Sequence, residues 1–298
     1  MKAVIRDLDV LKAIEPPQVA TYLQANGWNQ ESMIADKASI WIQQNDSGKE
    51  LDILLPLKSE FKDFPILISQ VIESLEYAED RSQLEIVSDI INYDADAIAL
   101  RVPPPNADKG SIPLATHIEL IQSLRDTLLW AACATLKRQA YFLEPLEEAL
   151  AYLRQLRLGF SPQYPACFVT ILSPIDNGLS NGIIPFSRQV VKTWVQALEA
   201  IAWGAEKSLS EGNLSSFVGT EEQGVSANLC AAIARIYDII GNSSIEINLT
   251  WSPLLPVSKP RQIIIPDRAG RAIASIASLG NQFHRNWQQE LKTREILV

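Results

Sequence analysis

The chain has few of the residues on which most enzyme sites depend. It contains two histidines and three cysteines in 298 residues, and HExxH, CxxC, GxGxxG and GxxxxGK[ST] motifs are absent. These absences disfavour zinc sites built from His and Cys and the common phosphate-binding loops. His117 lies near a predicted helix start, and Cys167 lies in a predicted apolar strand, where a thiol is inert. We therefore expect no catalytic residue, no cofactor and no metal ligand.

The charge balance and the absence of long apolar runs limit the partners and the location of the chain. The net charge is −9 and the pI about 4.9, and an acidic chain repels nucleic acid unless its cations are clustered. The first residues lack the apolar core of a secretory signal, and no segment is apolar for the length of a bilayer. The cysteines lie among apolar neighbours, as in reducing compartments. We expect a soluble, cytoplasmic protein that does not bind membranes.

The order of predicted helices and strands favours an α+β fold over a regular βαβ alternation. A small helix–hairpin–helix module is predicted over residues 1–95, packed on a larger mixed α+β domain over 96–280. A polar helical tail follows over 281–298. The boundary lies where a short apolar strand runs into a stretch rich in proline, near 94–105.

Three local predictions in the larger domain depend on short patterns. Thr116 and Glu119 have the spacing of a capping box, which predicts the start of a long helix. A strand is predicted over 138–142. A helix is predicted over 145–158, followed by an apolar strand and a loop of Asp, Asn, Gly and Ser up to Gly182.

The hairpin of the small module is predicted from alternating apolar residues on both sides of a polar turn. In its first strand, 38–44, Ile40 and Ile42 share one face and Trp41 lies on the other. The second strand, 50–56, has one apolar face: Leu51, Ile53 and Leu55. Each strand could bury one side under a helix predicted over 64–80.

Carboxylates are numerous, and two groups of them could suggest chemistry. Four acids lie along one side of the helix predicted over 64–80 and are interpreted as a solvated surface: Glu73, Glu76, Glu79 and Asp80. Asp52 followed by Lys58 resembles part of a metal-nuclease pattern, but the second acid of that pattern is missing. A carboxylate-based metal-dependent hydrolase is therefore kept only as a remote alternative.

Two groups of cations are candidates for binding an anion or nucleic acid. Cations cluster around the last predicted strand and helix: Lys259, Arg261, Arg268 and Arg271. Arg154 and Arg157 are predicted one turn apart on a helix that points at the loop before Gly182, with Asp176 at the other end of that loop. The competing interpretation is a basic surface paired to the many carboxylates. The region 156–182 could bind a ligand or could only connect secondary-structure elements. Both possibilities stay open, and the second is favoured.

The last residues are polar but carry an apolar stripe. Phe283, Trp287 and Leu291 recur every four residues, which is typical of a helix that docks in a groove of another protein. The alternative is that the stripe packs on the chain itself.

Two resemblances accompany these patterns. The stretches "SIPLATHIELIQSLRDTLLWAACATL", "YLRQLRLGFSPQYPACFVTILSPI", "GVSANLCAAIARI" and "INLTWSPLLP" resemble a family of bacterial proteins to which no activity is assigned, so the resemblance implies no site. The order helix–strand–strand–helix with "NGW" resembles small double-stranded-RNA-binding-like modules. Asp36, Lys37 and Trp41 stand where such modules carry basic residues and histidine, which limits the likeness to architecture.

These observations favour a non-enzymatic interaction or regulatory subunit of a larger bacterial assembly. Its partner would be another protein or a second copy of the chain. The alternative is a nucleic-acid-associated protein, for example in defence against foreign DNA, although the net charge disfavours nucleic acid as a partner.

Overall fold

Two units with separate sheets make up the chain. The computed structural model describes residues 4–44, 48–102, 113–159, 167–175, 184–241, 243–255, 257, 261–280 and 291, with backbone only at 102, 167 and 168. The first unit comprises Met1–Ala95 and Trp251–Ser258, and the second comprises Asp96–Thr250 and Lys259–Val298. The assignment of Trp251–Ser258 to the first unit has no counterpart in the sequence analysis. The fold is α+β, as predicted, because helices combine with two sheets built from antiparallel pairs.

The first unit contains helices and a three-stranded sheet in sequential order. Its elements are α1 (Leu8–Lys12), α2 (Pro16–Ala25), β1 (Asn29–Ile34), β2 (Ala38–Gln44), β3 (Glu50–Pro56), α3 (Phe64–Glu79) and α4 (Gln83–Ile91). The hairpin of β2 and β3 has the predicted bounds. The polar strand β1 and the helix α1 were not predicted.

The second unit contains a five-stranded sheet in the order β5-β6-β4-β7-β8. Its elements are β4 (Ala95–Val102), α5 (Leu114–Leu136), α6 (Glu147–Leu153), β5 (Arg157–Gly159), β6 (Cys167–Pro174), α7 (Phe186–Glu211), α8 (Ala227–Ile240), β7 (Ile245–Thr250), β8 (Arg261–Ile265) and α9 (Gly270–Leu279). Short 3-10 turns lie at Ser215–Phe217, Thr220–Gln223 and Asp267–Ala269.

Helix ends in both units follow from local hydrogen bonds and backbone angles. Asp7 caps α1, since its Oδ1 accepts from the amide of Asp9 at 2.9 Å. Ser82 and Glu85 form a capping box at the start of α4. Gly212, which follows α7, has φ +73°, a left-handed conformation that glycine adopts without steric cost.

The core of the first unit lies between the sheet and its helices. Trp41 on β2 is directly opposite Ile53 on β3, and both are buried. Ile68 and Leu75 of α3 are fully buried in the same cluster. The face of β2 that carries Trp41 is therefore the buried one, which the sequence left undecided.

In the second unit, alternate residues of the strands are buried under helices. Ile245, Ile247 and Leu249 of β7 are at most 2% exposed, whereas the residues between them are partly exposed. Helix α5 packs on α7 and α8, helix α8 packs on α9, and α7 contacts β6 and β8. Period-two burial of this kind is expected when helices cover one face of a sheet.

A strand and a helix start predicted in this unit were wrong. The segment 138–142 is not a strand, because the carbonyl and amide of Phe142 bond the side chain of Asn228 at 3.0 and 2.9 Å. Helix α5 begins at Leu114 with Pro113 as N-cap, so Thr116 and Glu119 lie inside the helix and do not form a capping box at its start.

Candidate functional site

The three-stranded sheet of the first unit has one buried face and one face with exposed apolar side chains. The strand register places Ser32 opposite Ile40, Ile40 opposite Leu54, and Ile34 opposite Ala38. Side chains directly opposite each other share a face. We define the outer face by its apolar residues, Ile34, Ile40, Ile42 and Leu54. Ser32 and Asp52, which lie opposite Ile40 and Ile42, share this face. Ile34 is 46% exposed and Leu54 is 41% exposed, and Ile40 and Ile42 are half-buried.

Strand β1 forms one of the two edges of this sheet, and β3 forms the other. All six residues of β1 are exposed, and Met33 is 55% exposed. Its register shifts between Gln30 and Ser32, which marks a bulge. Among the described residues, β1 pairs with β2 alone. An edge strand whose outer N–H and C=O groups lack a neighbouring strand is a template for pairing with another chain.

An ion pair joins the turn between β1 and β2 to the residues after β3. Lys58, just after β3, donates a hydrogen bond to the carboxylate of Asp36 in the turn between β1 and β2. This hydrogen bond lowers the pKa of Asp36 below its ordinary value. Lys58 thus neutralises an acid of the sheet. Asp52, the other residue of the nuclease-like pattern, is exposed on β3.

The acids on α3 are not all solvated, contrary to the sequence-based interpretation. Glu79 accepts a hydrogen bond from the hydroxyl of Tyr22 at 2.6 Å and one from Arg81 at 3.2 Å, and its side chain is 15% exposed. Arg81 also donates to Asp89 at 2.6 Å. Burial, followed by the charge of Glu79, raises the pKa of Tyr22 above its ordinary value. This network joins α2 and α4 to the end of α3.

A second buried polar group lies in the second unit and was missed from the sequence. Arg188, in the first turn of α7, donates two hydrogen bonds of 2.8 Å to Asp96 at the start of β4. The side chains are 2% and 0% exposed. The Tyr152 hydroxyl lies 3.0 Å from Ser173 Oγ, and burial raises the pKa of Tyr152 above its ordinary value. Nothing in the local sequence of Asp96 or Arg188 signals this pairing, because 92 residues separate them.

The candidate cations near β8 differ in whether the structure pairs them with acids. Arg261 pairs with Glu199, and Arg268 donates to Glu206 at 2.6 Å, both acids of α7. Arg271 is exposed in the first turn of α9, and Lys259 lies outside the described residues. Pairing to carboxylates reduces the field that a phosphate would encounter, which is the competing interpretation of this cluster.

Arg154 and Arg157 do not lie one turn apart on a helix. Helix α6 ends at Leu153 and Arg154 is its C-cap, while Arg157 begins β5, opposite Leu172. The prediction of a shared helical face was wrong because the chain changes from helix to strand within three residues. Asp176, at the far end of the proposed loop, lies outside the described residues.

The apolar stripe near residue 290 is described at one position only. Leu291 is fully buried, which agrees with packing on the chain itself, the alternative kept in the sequence analysis. Phe283 and Trp287 lie outside the described residues, as does the rest of the predicted tail. Binding of a partner through this stripe stays a prediction.

Nucleophile and metal chemistry receive little support from the described residues. Burial raises the pKa of the Cys230 thiol to about 12 and that of Cys133 above its ordinary value, which makes both thiols poor nucleophiles. Within the described ranges, no group of three His, Cys, Asp or Glu side chains could hold a metal ion. No described helix is long and apolar enough to cross a membrane.

The sequence also contains the spacing of one serine-nucleophile motif. Residues 178–182 read GLSNG, the GxSxG spacing that surrounds the serine of a nucleophile elbow. These residues lie outside the described part of the chain. In such an elbow a helix begins directly after the serine, whereas α7 begins at Phe186 after Pro185. The spacing alone therefore does not make Ser180 a catalytic candidate.

Comparisons with known proteins identify no site residue in this chain. The resemblance to a bacterial family stays a prediction, and so does the likeness to RNA-binding-like modules. Searches of protein-family models, curated proteins and solved structures gave no match to this chain.

Proposed function

We propose that the chain is a non-enzymatic interaction or regulatory subunit of a larger bacterial assembly. The observation that carries the proposal is the exposed apolar outer face of the three-stranded sheet, bordered by the exposed edge strand β1. A partner protein covers this face and adds a strand to β1. Other chains can pair with an exposed strand edge in this way.

The energetics favour covering this surface. Burying apolar area is favourable by about 25 cal/mol per Å², so each of Ile34 and Leu54 gains stability when a partner removes it from water. Hydrogen bonds from β1 to a partner strand satisfy its outer backbone groups and fix the register of the complex. Apolar contact contributes to the binding free energy, and strand pairing fixes the orientation of the partner relative to the sheet.

The cytoplasm is the proposed location. Cys133 and Cys230 are free and buried, a state that reducing compartments preserve. The nucleic-acid alternative gains no support from Arg261 and Arg268, because each is paired to an acid of α7.

We expect the substitution Leu54→Lys to weaken partner binding. An ammonium group within an apolar contact must lose its hydration without gaining a partner, so affinity falls by about tenfold or more. The measurement is purification of the tagged full-length chain from its native cell at low salt, followed by mass spectrometry and a nucleic-acid stain. The wild-type chain is expected to bring down one polypeptide in stoichiometric amount.

Ile66→Lys is the matched control, since Ile66 is 59% exposed on α3 and does not belong to the sheet. It introduces the same charge into the same unit and should leave recovery of the partner unchanged. Equal recovery with Leu54→Lys and the wild-type chain would contradict the proposal. Recovery of nucleic acid without a protein would favour the alternative instead.

A further inference from the structure

A cleft in the second unit has features of a ligand site that the proposed function does not use. It has a volume of about 430 Å³ and lies between the first half of α5 and the second half of α8. The α5–α8 cleft, as we call it, is lined by three acids and a single cation: Glu119, Asp126, Asp238 and Arg235. Its volume is in the range of pockets that hold small molecules.

The two helices that form the cleft run antiparallel. Asp126 on α5 accepts a hydrogen bond from Arg235 on α8 at 2.6 Å. Phe142, beyond the end of α5, bonds Asn228 near the start of α8, so residue numbers rise along α5 where they fall along α8. Asp238, one turn beyond Arg235, consequently lies beside the turn of α5 that precedes Asp126.

The lining of the cleft has two carboxylates in excess. Arg235 neutralises Asp126, and Arg125, which does not line the cleft, approaches Asp126 at 3.9 Å. Glu119 and Asp238 are exposed and pair with no cation among the described residues. The lining therefore carries three negative charges and one positive charge, which favours a ligand with two positive charges.

Ser123 provides a second and independent indication of a ligand. It lines the cleft and is 3% exposed. Thr127 and Thr135 of the same helix donate to helix carbonyls, whereas the hydroxyl of Ser123 has no hydrogen-bond partner among the described residues. Unlike the unpaired hydroxyls of Thr170 and Ser187, which are shielded from solvent, Ser123 Oγ keeps a small accessible surface in the cleft. Because buried hydroxyls normally have a partner, this one favours a ligand that donates a hydrogen bond.

The spacing of the acceptors favours ammonium groups. Glu119 and Ser123 lie one turn apart on α5, about 6 Å along the helix axis, and Asp238 lies beside Ser123. An ammonium group has three donors and no fixed plane, so one such group can contact Asp238 and Ser123 while a second contacts Glu119. Among the described residues that line the cleft there is no aromatic ring on which a guanidinium group could stack. Ile239 offers an apolar wall to the carbon chain of the ligand.

We propose that the α5–α8 cleft binds a short aliphatic diamine. One ammonium group lies between Asp238 and Ser123 Oγ, the other contacts Glu119, and the methylene groups pack on Ile239. The ligand is a free small molecule, because the two carboxylates in excess match two ammonium groups, whereas the side chain of a lysine carries one. The inference is independent of the proposed function, since the cleft belongs to the second unit and the outer face belongs to the first.

The test is a titration of the full-length chain with diaminobutane at constant ionic strength, followed through the backbone amide signals in nitrogen–proton correlation spectra. We expect a saturable shift of the signals of residues 119–126 and 235–239. Butylamine, which has one ammonium group, should bind about two- to fivefold more weakly, the effect of losing one exposed ion pair. Butanediol, which has no charge, should not bind. The proposal is overturned if diaminobutane does not shift these signals, or if butylamine or butanediol binds as tightly.

Two variants locate the ligand in the cleft. Ser123→Ala removes the hydroxyl and keeps a residue of high helix propensity, and it should weaken binding of diaminobutane about two- to tenfold. Glu119→Gln removes one exposed carboxylate and should weaken binding about two- to fivefold. Glu144→Gln is the matched control, since Glu144 is exposed in the same unit but does not line the cleft. Wild-type affinity in Ser123→Ala, or equal affinity in Glu119→Gln and Glu144→Gln, would contradict the proposed site.

Discussion

Arg188→Ala is expected to cost about 3–5 kcal/mol of the free energy of unfolding, because it leaves the carboxylate of Asp96 buried and without its guanidinium partner. Both side chains are almost completely inaccessible to water, and two hydrogen bonds of 2.8 Å join them. The pair connects the first turn of α7 to the start of β4. Urea denaturation followed by circular dichroism measures the loss.

Two comparison variants separate a buried charge from a general loss of contacts. The double variant Asp96→Leu with Arg188→Met removes both charges and should return stability close to the wild-type value. Arg101→Ala breaks an exposed pair with Glu246 of 2.8 Å and should cost only about 0.2–1 kcal/mol. A cost of Arg188→Ala no larger than that of Arg101→Ala would show that Asp96 is not effectively buried.

Trp194→Ala is expected to cost about 3–5 kcal/mol, the range for removing a large aromatic side chain from a core. Trp194 is fully buried on α7. Its indole donates to the hydroxyl of Thr127 on α5 at 3.0 Å, and that hydroxyl donates to the carbonyl of Leu124 at 2.6 Å. The substitution leaves a cavity between two packed helices and removes a donor to Thr127.

The same helix supplies the control for this prediction. Trp203 is 57% exposed on α7, and its ring contacts the ammonium group of Lys207, 5.0 Å from its centroid. Trp203→Ala should change the free energy of unfolding by no more than about 0.5–1 kcal/mol. Similar costs at the two tryptophans would contradict the assignment of α7's buried face.

Alternating patterns in the sequence predicted the hairpin well. The bounds of β2 and β3 agree with the predicted strands, because a strand with one apolar face has a period of two. The buried side of β2 could not be predicted, since Ile40 and Ile42 on one face compete with Trp41 on the other. The face with Trp41 is buried because α3 packs on that side of the sheet, and this packing leaves the outer face exposed.

Strand β1 could not be predicted, because NQESMI has no apolar alternation and its residues are all exposed. It is a strand because it pairs with β2, which is a tertiary effect on a sequence of weak local preference. The wrongly predicted strand at 138–142 has the opposite cause. Its local pattern suits a strand, but the side chain of Asn228 takes both backbone hydrogen bonds of Phe142.

The pairing of charged residues was the feature least predictable from the sequence. Arg261 and Arg268 each meet an acid that is 62 residues away, so a count of neighbouring cations overestimates the free positive charge. Glu79 was interpreted as solvated and is instead held by Tyr22 and Arg81. In each case the partner comes from another element, and no local spacing reports it.

The most direct test of the account is amide hydrogen exchange on the chain alone and on the chain bound to its copurified partner. If the outer face and edge strand form the interface, exchange in the free chain is fast at the outer amides of β1, residues 29–34. It slows on partner binding there and in β2, residues 38–44. Unchanged exchange in both strands, with protection confined to other segments, would contradict the central claim that this sheet is the partner-binding surface.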